Sequence, residues 1–267
     1  MKKLLKYFYS LLMTFGLDPL KSIRALRGLP IYLYNFYIYV RQRSASELDM
    51  GTFGIFPCLD DRFSESGSAR GHYFHQDLLV ARKIYDNAPK IHVDVGSRVD
   101  GFVAHVAAFR KIDVLDIRRS TATIPNITFI QCDIMGDLSE ILISSCDSLS
   151  CLHALEHFGL GRYGDPVRYD GHLIGFRNLQ KILRPGGKMY LSVPIGPLRV
   201  EYDAHRVFSV RYLLDFVSGQ FRIDMFSYVN DAGDLFENAP LLDEDVEANF
   251  GCRYGCGIFE LSKLSHH

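Results

Sequence analysis

The sequence predicts an α/β fold with a doubly wound, mostly parallel sheet of seven strands. Residues 91–101 are typical of a buried strand, a glycine turn and a helix start, because β-branched residues alternate up to Gly96. Three early strands each end at an aspartate. A later helix is stopped by Pro185 and the two glycines after it. In such sheets ligands bind outside the carboxyl ends of the strands.

Length and composition indicate a globular protein with a sizeable core. The chain has 267 residues, of which 48% are apolar and 23% charged. Its six cysteines follow no disulfide pattern, which favours a reducing compartment and a cytoplasmic location. Cys252 and Cys256 form a pair without a second pair of ligands, and we predict no metal site from them.

The N-terminal segment, residues 1–43, differs from the rest of the chain in charge. It carries eight Lys or Arg against one acid, whereas the remaining residues are acidic overall. Apolar residues at helical spacing predict an amphipathic helix from Leu4 to Phe15, and a second aromatic run extends from Leu29 to Val40. No uncharged run is long enough to span a bilayer, and no signal-peptide cleavage site follows.

Two interpretations of this segment stay open with equal weight. A basic amphipathic helix suits the membrane surface, which would make the protein peripheral at the inner face of the membrane. The same apolar face could instead cover the main domain or a second copy in a homo-oligomer. Nucleic acid is disfavoured as a partner because the acidic body would repel phosphates. We therefore divide the chain into a basic helical segment (1–45), an irregular connection (46–71) and an α/β domain (72–267).

The domain begins with a helix whose polar start includes Tyr73 and Gln76. This start either reaches the ligand cleft or is an ordinary surface helix start. Further helices are predicted over Gly171–Leu183 and Ser209–Val217, and residues 230–249 as an acidic loop. The strands after the first are predicted at Ile112–Ile117, Ile127–Asp133, Cys146–Leu152, Lys188–Pro194, Phe221–Val229 and Tyr254–Leu261.

The acid that ends the second strand indicates a nucleotide-like ligand. Asp116 lies 22 residues after Asp94, which ends the first strand. A carboxylate at this position can accept two hydrogen bonds from ribose hydroxyls. Asp133 ends the third strand in the same way.

These ordered motifs resemble the class I S-adenosylmethionine (SAM)-dependent methyltransferases over roughly residues 72–262. Residues 91–101 stand at that family's glycine-rich loop, residues 155–157 (LEH) after its fourth strand, and residues 183–187 (LRPGG) at the turn before its fifth. More narrowly, the segments HYFHQDLLVARKI, DVGSRVDGFVAH, GLGRYGDP and AHRVF resemble an uncharacterised family of the DUF268 type. Bacterial members of that family often belong to surface-polysaccharide gene clusters.

The resemblance implies SAM as the cofactor, with Asp116 at the ribose and Asp133 at the adenine. Only the first glycine of the family's usual trio is in place, so Arg98 or Val99 would crowd the methionine end of SAM if it pointed inward. The implied cofactor-binding residues are Asp94, Gly96, Ser97, Asp100, Gly101, Asp116, Ile117, Asp133, Ile134, Tyr73 and Gln76.

Methyl transfer to a hydroxyl needs a base, and histidine is the usual one near neutral pH. The candidate catalytic residues are His157, His205 and His153; His157 is equally well read as a structural helix-start residue. Residues 153–157 also match the His-x-x-Glu-His metalloprotease string, but they straddle a strand end, so that interpretation is rejected. The candidate substrate-binding residues are Arg162, Tyr163, Asp165 and Arg206.

The sequence therefore predicts a SAM-dependent O-methyltransferase that acts on a sugar or surface glycan. The acceptor is either free or linked to a lipid. The alternative is a degenerate methyltransferase fold that serves as a binding or assembly module in polysaccharide biosynthesis. An NAD-dependent enzyme is disfavoured by the Pro-Gly-Gly turn and by Asp133.

Overall fold

A computed structural model describes residues 8–9, 11–48, 50–64 and 67–265. The chain divides into two compact units, Met1–Ser68 and Ala69–His267. The predicted amphipathic helix at the N-terminus lies partly outside the described residues, which exclude residues 1–7 and 10.

The first unit is built on one long helix, α1 (Pro19–Ala45). Asp18 caps it, because its carboxylate accepts the backbone N–H of Lys21 at 3.0 Å. The predicted aromatic run of residues 29–40 lies inside this helix together with Pro30. The following segment is irregular and packs on α1 at Gly28, where any side chain would meet the carbonyl of Leu59. In the described part of the chain, no helix is both long and apolar enough to cross a membrane.

The second unit alternates helices and strands. Its helices are α2 (His72–Asn87), α3 (Ala104–Ala107), α4 (Gly171–Ile182), α5 (Val210–Val217) and α6 (Asp243–Glu247). Its strands are β1 (His92–Val95), β2 (Ile112–Asp116), β3 (Ile127–Gln131), β4 (Cys146–Leu152), β5 (Leu183–Ile195), β6 (Arg199–Glu201), β7 (His205–Val207), β8 (Phe221–Val229), β9 (Leu235–Phe236) and β10 (Gly255–Lys263).

Eight of these strands form one sheet in the order β3-β2-β1-β4-β5-β10-β8-β9. The first five are parallel to one another, whereas β10 runs antiparallel to both β5 and β8. Helices α4 and α5 contribute to the core on one face, and α2 and α3 to the core on the other. The predicted doubly wound, mostly parallel sheet is confirmed, with the two-residue strand β9 added to the predicted seven.

Several local predictions differ from the structure. The helix predicted after Gly96 is broken into a π-helical turn, Val99–Val103, and the short α3, because Gly101 has non-helical dihedral angles (φ −129°, ψ −105°). The predicted loop of residues 230–249 contains β9 and α6. Strands β6 and β7 form a hairpin where no strand was predicted. Asp203 takes a positive φ of 64° between them, which aspartate tolerates better than most residues.

Candidate active site

A cleft of about 510 Å³ opens at the carboxyl ends of β1 to β4. It lies where an open parallel sheet presents its loops to a ligand. Its walls combine the loop after β1, the ends of β2 and β3, and the segment after β4. The lining residues include Tyr73, Gly96, Ser97, Arg98, Val99, Asp100, Asp116, Ile117, Arg118, Phe129, Asp133, Ile134, His153, His157, Tyr163 and Asp165.

Asp94 fixes the loop beneath this cleft. Its carboxylate accepts the backbone N–H of Ser97 at 3.0 Å, the Ser97 hydroxyl at 2.6 Å and the Ser150 hydroxyl at 2.5 Å. The side chain is fully buried, and this burial raises its pKa to about 6 despite the hydrogen bonds. Asp94 therefore holds the turn after Gly96 against β4 and does not itself line the cleft.

Arg98, which stands where the resembling family has a glycine, is held at the cleft wall by two neighbours. Its Nε and Nη2 donate to the Asp100 carboxylate at 3.1 and 2.8 Å. Its guanidinium also lies 5.0 Å from the centre of the Tyr73 ring. Gly101 is needed for packing, because a Cβ there would lie 2.5 Å from a carboxylate oxygen of Asp77.

Asp116 is paired with an arginine that the sequence analysis did not single out. Arg118 Nε and Nη2 donate to the two carboxylate oxygens at 2.9 and 2.7 Å, and the Arg118 N–H donates at 2.8 Å. The Arg118 guanidinium also lies 4.7 Å from the centre of the Tyr163 ring. On the next strand, Asp133 accepts the backbone N–H of Met135 at 2.8 Å.

Tyr163 is carried by a well-ordered loop, residues 158–170. Three glycines of this loop, at positions 159, 161 and 164, have positive φ angles that suit residues without a Cβ. Asp165 accepts the backbone N–H groups of Gly159 (2.8 Å), Gly161 (3.2 Å) and Tyr163 (3.2 Å). These hydrogen bonds hold the Tyr163 ring edge-on against His157, with ring centres 5.3 Å apart.

Arg206 stabilises the same loop through hydrogen bonds to main-chain carbonyls. The buried guanidinium donates to the carbonyls of Phe158 at 2.7 Å, Tyr169 at 3.1 Å and Glu156 at 3.2 Å. Burial lowers the pKa of Arg206 from its ordinary value. Its hydrogen bonds go to main-chain carbonyls of the loop, and it does not line the cleft.

His157 faces the cleft with one nitrogen already engaged. Its Nδ1 donates to the carbonyl of Ala204 at 2.7 Å, which leaves Nε2 as the basic nitrogen of the neutral ring. Burial lowers the pKa of His157, so the ring is neutral near pH 7. His205 lies behind it, with ring centres 6.5 Å apart, and stacks on Tyr254.

Two more histidines meet beside the cleft. His72 Nδ1 lies 3.2 Å from His153 Nε2, and His153 Nδ1 lies 2.6 Å from a carboxylate oxygen of Glu156. Burial, together with the charge of His153, lowers the pKa of His72 to about 4. Although burial opposes it, the neighbouring Cys256 and Glu156 side chains raise the pKa of His153.

The structure thus brings most predicted site residues into one cleft. Six of the predicted residues do not line it: Asp94 lies under the loop, Gly101 against Asp77, Gln76 against Ser192, Arg206 under residues 158–170, His205 behind His157, and Arg162 at the edge. Arg162 lies at the cleft edge, where it donates to Ala204 and stacks on Tyr163.

The family model for DUF268, described as a Caenorhabditis protein of unknown function, matches residues 108–244. The chain belongs to the DUF268 family. A search of curated proteins finds no significant match.

Solved structures with similar folds are distant in sequence. The [4+2]-cyclase SpnF is 14% identical with a TM-score of 0.53, over 75% of this chain and 86% of that one. A Burkholderia thailandensis 1,6-didemethyltoxoflavin-N1-methyltransferase, solved with S-adenosylhomocysteine, is 13% identical with a TM-score of 0.50, over 71% of this chain and 79% of that one. This DUF268 chain therefore has the class I SAM-dependent methyltransferase fold.

Sequence reasoning missed three residues of this DUF268 site. Arg118 follows Asp116 by two positions, and this spacing in a turn is the signal that could have revealed the pair. His72 was considered only as part of a helix start, and Cys256 only beside Cys252. Their meeting with His153 depends on the sheet order, which places β10 near β4.

Proposed function

We propose that this protein binds SAM in the cleft and transfers its methyl group to a hydroxyl of a sugar or surface glycan. The observation that carries the proposal is that Asp116, Asp133 and the loop after Gly96 line one cleft on consecutive strands of the sheet. A class I fold presents its ligand-binding loops at this edge.

The cleft residues match the three parts of SAM. Asp116 offers carboxylate oxygens to the ribose hydroxyls, and Asp133 offers one to the adenine amine. Ile117 and Ile134 supply apolar surface for the adenine ring. The loop of residues 96–100 then receives the methionine part, with Arg98 drawn aside by Asp100 and Tyr73.

His157 is the proposed general base. Its Nδ1–H is fixed by Ala204, and its Nε2, which lies 3.8 Å from a carboxylate oxygen of Glu156, is the nitrogen that would take a proton from the acceptor hydroxyl. His205 is excluded from direct contact because it does not line the cleft. Tyr163, whose ring is contacted by Arg118 and Arg162, is the proposed aromatic contact to the acceptor at the cleft edge.

The first unit supports a membrane-associated, lipid-linked acceptor. On α1 the exposed apolar residues Ile23, Leu26, Leu33, Tyr37 and Val40 follow one another at helical spacing. Basic residues accompany them along the helix. Such a face suits the interface of an anionic membrane.

A second candidate function is that of a non-catalytic binding or assembly module. The observation that favours it is the loop with a single glycine of the usual trio, in which Arg98 and Val99 both line the cleft. The similar fold of a [4+2]-cyclase also illustrates that this architecture serves other chemistry.

Isothermal titration of the full chain with SAM and with S-adenosylhomocysteine tests the proposal. We expect one ligand per chain with a dissociation constant below the millimolar range. Absence of heat at millimolar ligand would reject the enzymatic function and favour the binding module.

Flotation with anionic and neutral liposomes tests the proposed membrane association, and the variant I23D/L33D is compared with the wild type. Equal flotation of both proteins would exclude α1 as the anchor.

A further inference from the structure

A compact group of potential metal ligands lies at the inner end of the cleft. One ligand atom from each of His72, His153 and Cys256 lies within 4.8 Å of the other two. The three residues come from the start of α2, the segment after β4, and β10. We propose that they bind a zinc ion through two imidazole nitrogens and one thiolate.

The distances suit tetrahedral zinc. Two nitrogens bound to zinc at 2.0–2.1 Å lie about 3.3 Å apart, and a nitrogen and a sulfur about 3.6 Å apart. His72 Nδ1 and His153 Nε2 are 3.2 Å apart. Because the ligand atoms lie within 4.8 Å of one another, the sulfur needs to approach by about 1.2 Å at most.

Glu156 supplies the hydrogen-bond acceptor that a zinc-bound histidine needs for its second ring nitrogen. A zinc-bound histidine almost always donates its second N–H to a carboxylate or carbonyl. His153 Nδ1 lies 2.6 Å from a Glu156 oxygen, and the His72 ring lies against the Tyr254 ring with centres 5.3 Å apart. The contact with Glu156 therefore fixes the orientation of the His153 ring before any metal binds.

The charges of a bound zinc ion and of the acidic groups around it would also balance. The Glu156 carboxylate is only 1% exposed, and its second oxygen has no hydrogen-bond partner among the described residues. A buried carboxylate needs a positive partner, which protonated His153 supplies without metal and which a bound cation would supply in its place. A divalent cation would be balanced by this carboxylate and the Cys256 thiolate, which leaves a neutral group.

Metal binding would replace protons. The thiol proton of Cys256 and any proton shared between the two facing imidazoles pass to solvent as the metal–ligand bonds form. The metal-free alternative is a hydrogen-bonded chain from His72 through His153 to Glu156. In that alternative the Cys256 thiol remains a weak donor, with its sulfur 3.8 Å from the side-chain oxygen of Gln76 and 3.8 Å from the carbonyl oxygen of Gly257.

Three protein ligands leave a fourth position open, the arrangement typical of catalytic zinc. Of the three ligands His153 lines the cleft beside Tyr73, which brings the group next to the proposed acceptor site. There the metal would bind the acceptor oxygen and lower its pKa. This role rests on the proposed function, whereas metal binding itself does not.

Titration of the full-length protein with Co²⁺ in place of zinc tests the site without any SAM. We expect one equivalent to bind and to give the thiolate-to-cobalt absorption band, with Zn²⁺ displacing it. C256S should lose the band, and H72Q should weaken binding at least tenfold. Two controls match these changes: C58S alters an exposed cysteine, and H75Q alters a histidine on the same helix. Both should bind as the wild type does.

Each outcome decides the proposal. A wild-type protein that binds no stoichiometric Co²⁺, or binds it without the thiolate band, overturns it even if the variants fail to fold. A band that persists in C256S also overturns it. Cofactor titrations on the same samples separate this site from the SAM proposal, because either can fail alone.

Discussion

Arg118 and Asp116 form a bidentate ion pair at the carboxyl end of β2, with N–O distances of 2.9 and 2.7 Å. The carboxylate proposed to bind ribose is therefore already occupied by a cation. One Asp116 oxygen accepts two N–H groups, and the other accepts one. Ribose must compete with Arg118 for these acceptor positions. Loss of Asp116 should therefore weaken cofactor binding, whereas loss of Arg118 should strengthen it.

Replacing Asp116 with alanine should weaken S-adenosylhomocysteine binding at least tenfold. Each hydrogen bond to a charged group contributes about 1.5–3 kcal/mol, and two are lost. Isothermal titration measures the change. The control is D113N on the same strand, which does not line the cleft and should bind normally. Equal affinities of wild type and D116A would place the ribose elsewhere.

Replacing Arg118 with alanine should have the opposite effect. The Arg118 side chain is 56% exposed, and exposed ion pairs contribute only about 0–1 kcal/mol. Freeing the Asp116 oxygens and removing a positive charge near the cationic cofactor should tighten SAM binding by up to about fivefold. The same titration measures it. Weaker binding by R118A would show that Arg118 contacts the cofactor directly.

Replacing His157 with glutamine should lower the rate of methyl transfer by about 10²–10⁴-fold, because a general base supplies that factor. Cofactor affinity should stay within about twofold of wild type. Transfer of a radiolabelled methyl group to the acceptor used by the wild type, found by screening sugars and glycans, measures the rate. H75Q on α2 is the control. Retained activity in H157Q would show that His157 is not the general base.

Asp94 should make stability depend on pH. Its folded pKa is about 6, above the ordinary value of 3.8, so the folded state holds the proton more tightly than the unfolded state does. The free energy of unfolding should therefore fall as pH rises from about 4 to 6, by up to roughly 3 kcal/mol. D94N should remove this fall.

Urea unfolding of wild type and D94N between pH 4 and 7 measures the difference. The comparison is necessary because His92 acts in the opposite direction. Burial lowers its pKa to about 3, so its neutral form is favoured on folding and stability is lost as pH falls below about 6.5. Parallel pH profiles of the two proteins would show that Asp94 is ionised in both states.

Replacing Arg206 with methionine should lower the free energy of unfolding by roughly 3–5 kcal/mol, because several loop carbonyls lose a buried charged donor. Urea unfolding measures this loss. R211M is the control, since Arg211 pairs with exposed carboxylates on the surface and its loss should leave the urea midpoint nearly unchanged. Equal effects of the two variants would contradict the proposed support of the loop.

The sequence predicted most of the sheet because each strand carries its own signal. Strands β4 and β8 match their predicted bounds, and α4 ends at Ile182, whereas residues 183–187, predicted as a turn, form the start of β5. Buried β-branched runs and helix stops are local features that neighbouring residues determine. The strand-end acids were found for the same reason.

The side-chain partners could not be predicted in this way. Asp94 is followed three residues later by Ser97, but its second partner, Ser150, is 56 residues away. Arg206 was expected to face a substrate, whereas the hairpin of β6 and β7 places it under residues 158–170. Which of several polar groups a buried side chain contacts depends on the tertiary packing of distant segments, and this DUF268 sequence carries no local signal for it.

The position of β10 has a consequence for synthesis on the ribosome. This strand is made after β5 and β8, yet it lies between them in the sheet. Until residues 255–263 emerge, β5 and β8 each expose an unpaired edge that invites pairing with other chains. A chaperone that shields nascent strands would therefore matter most until residues 255–263 have emerged, and a truncation before Gly255 would divide the sheet in two.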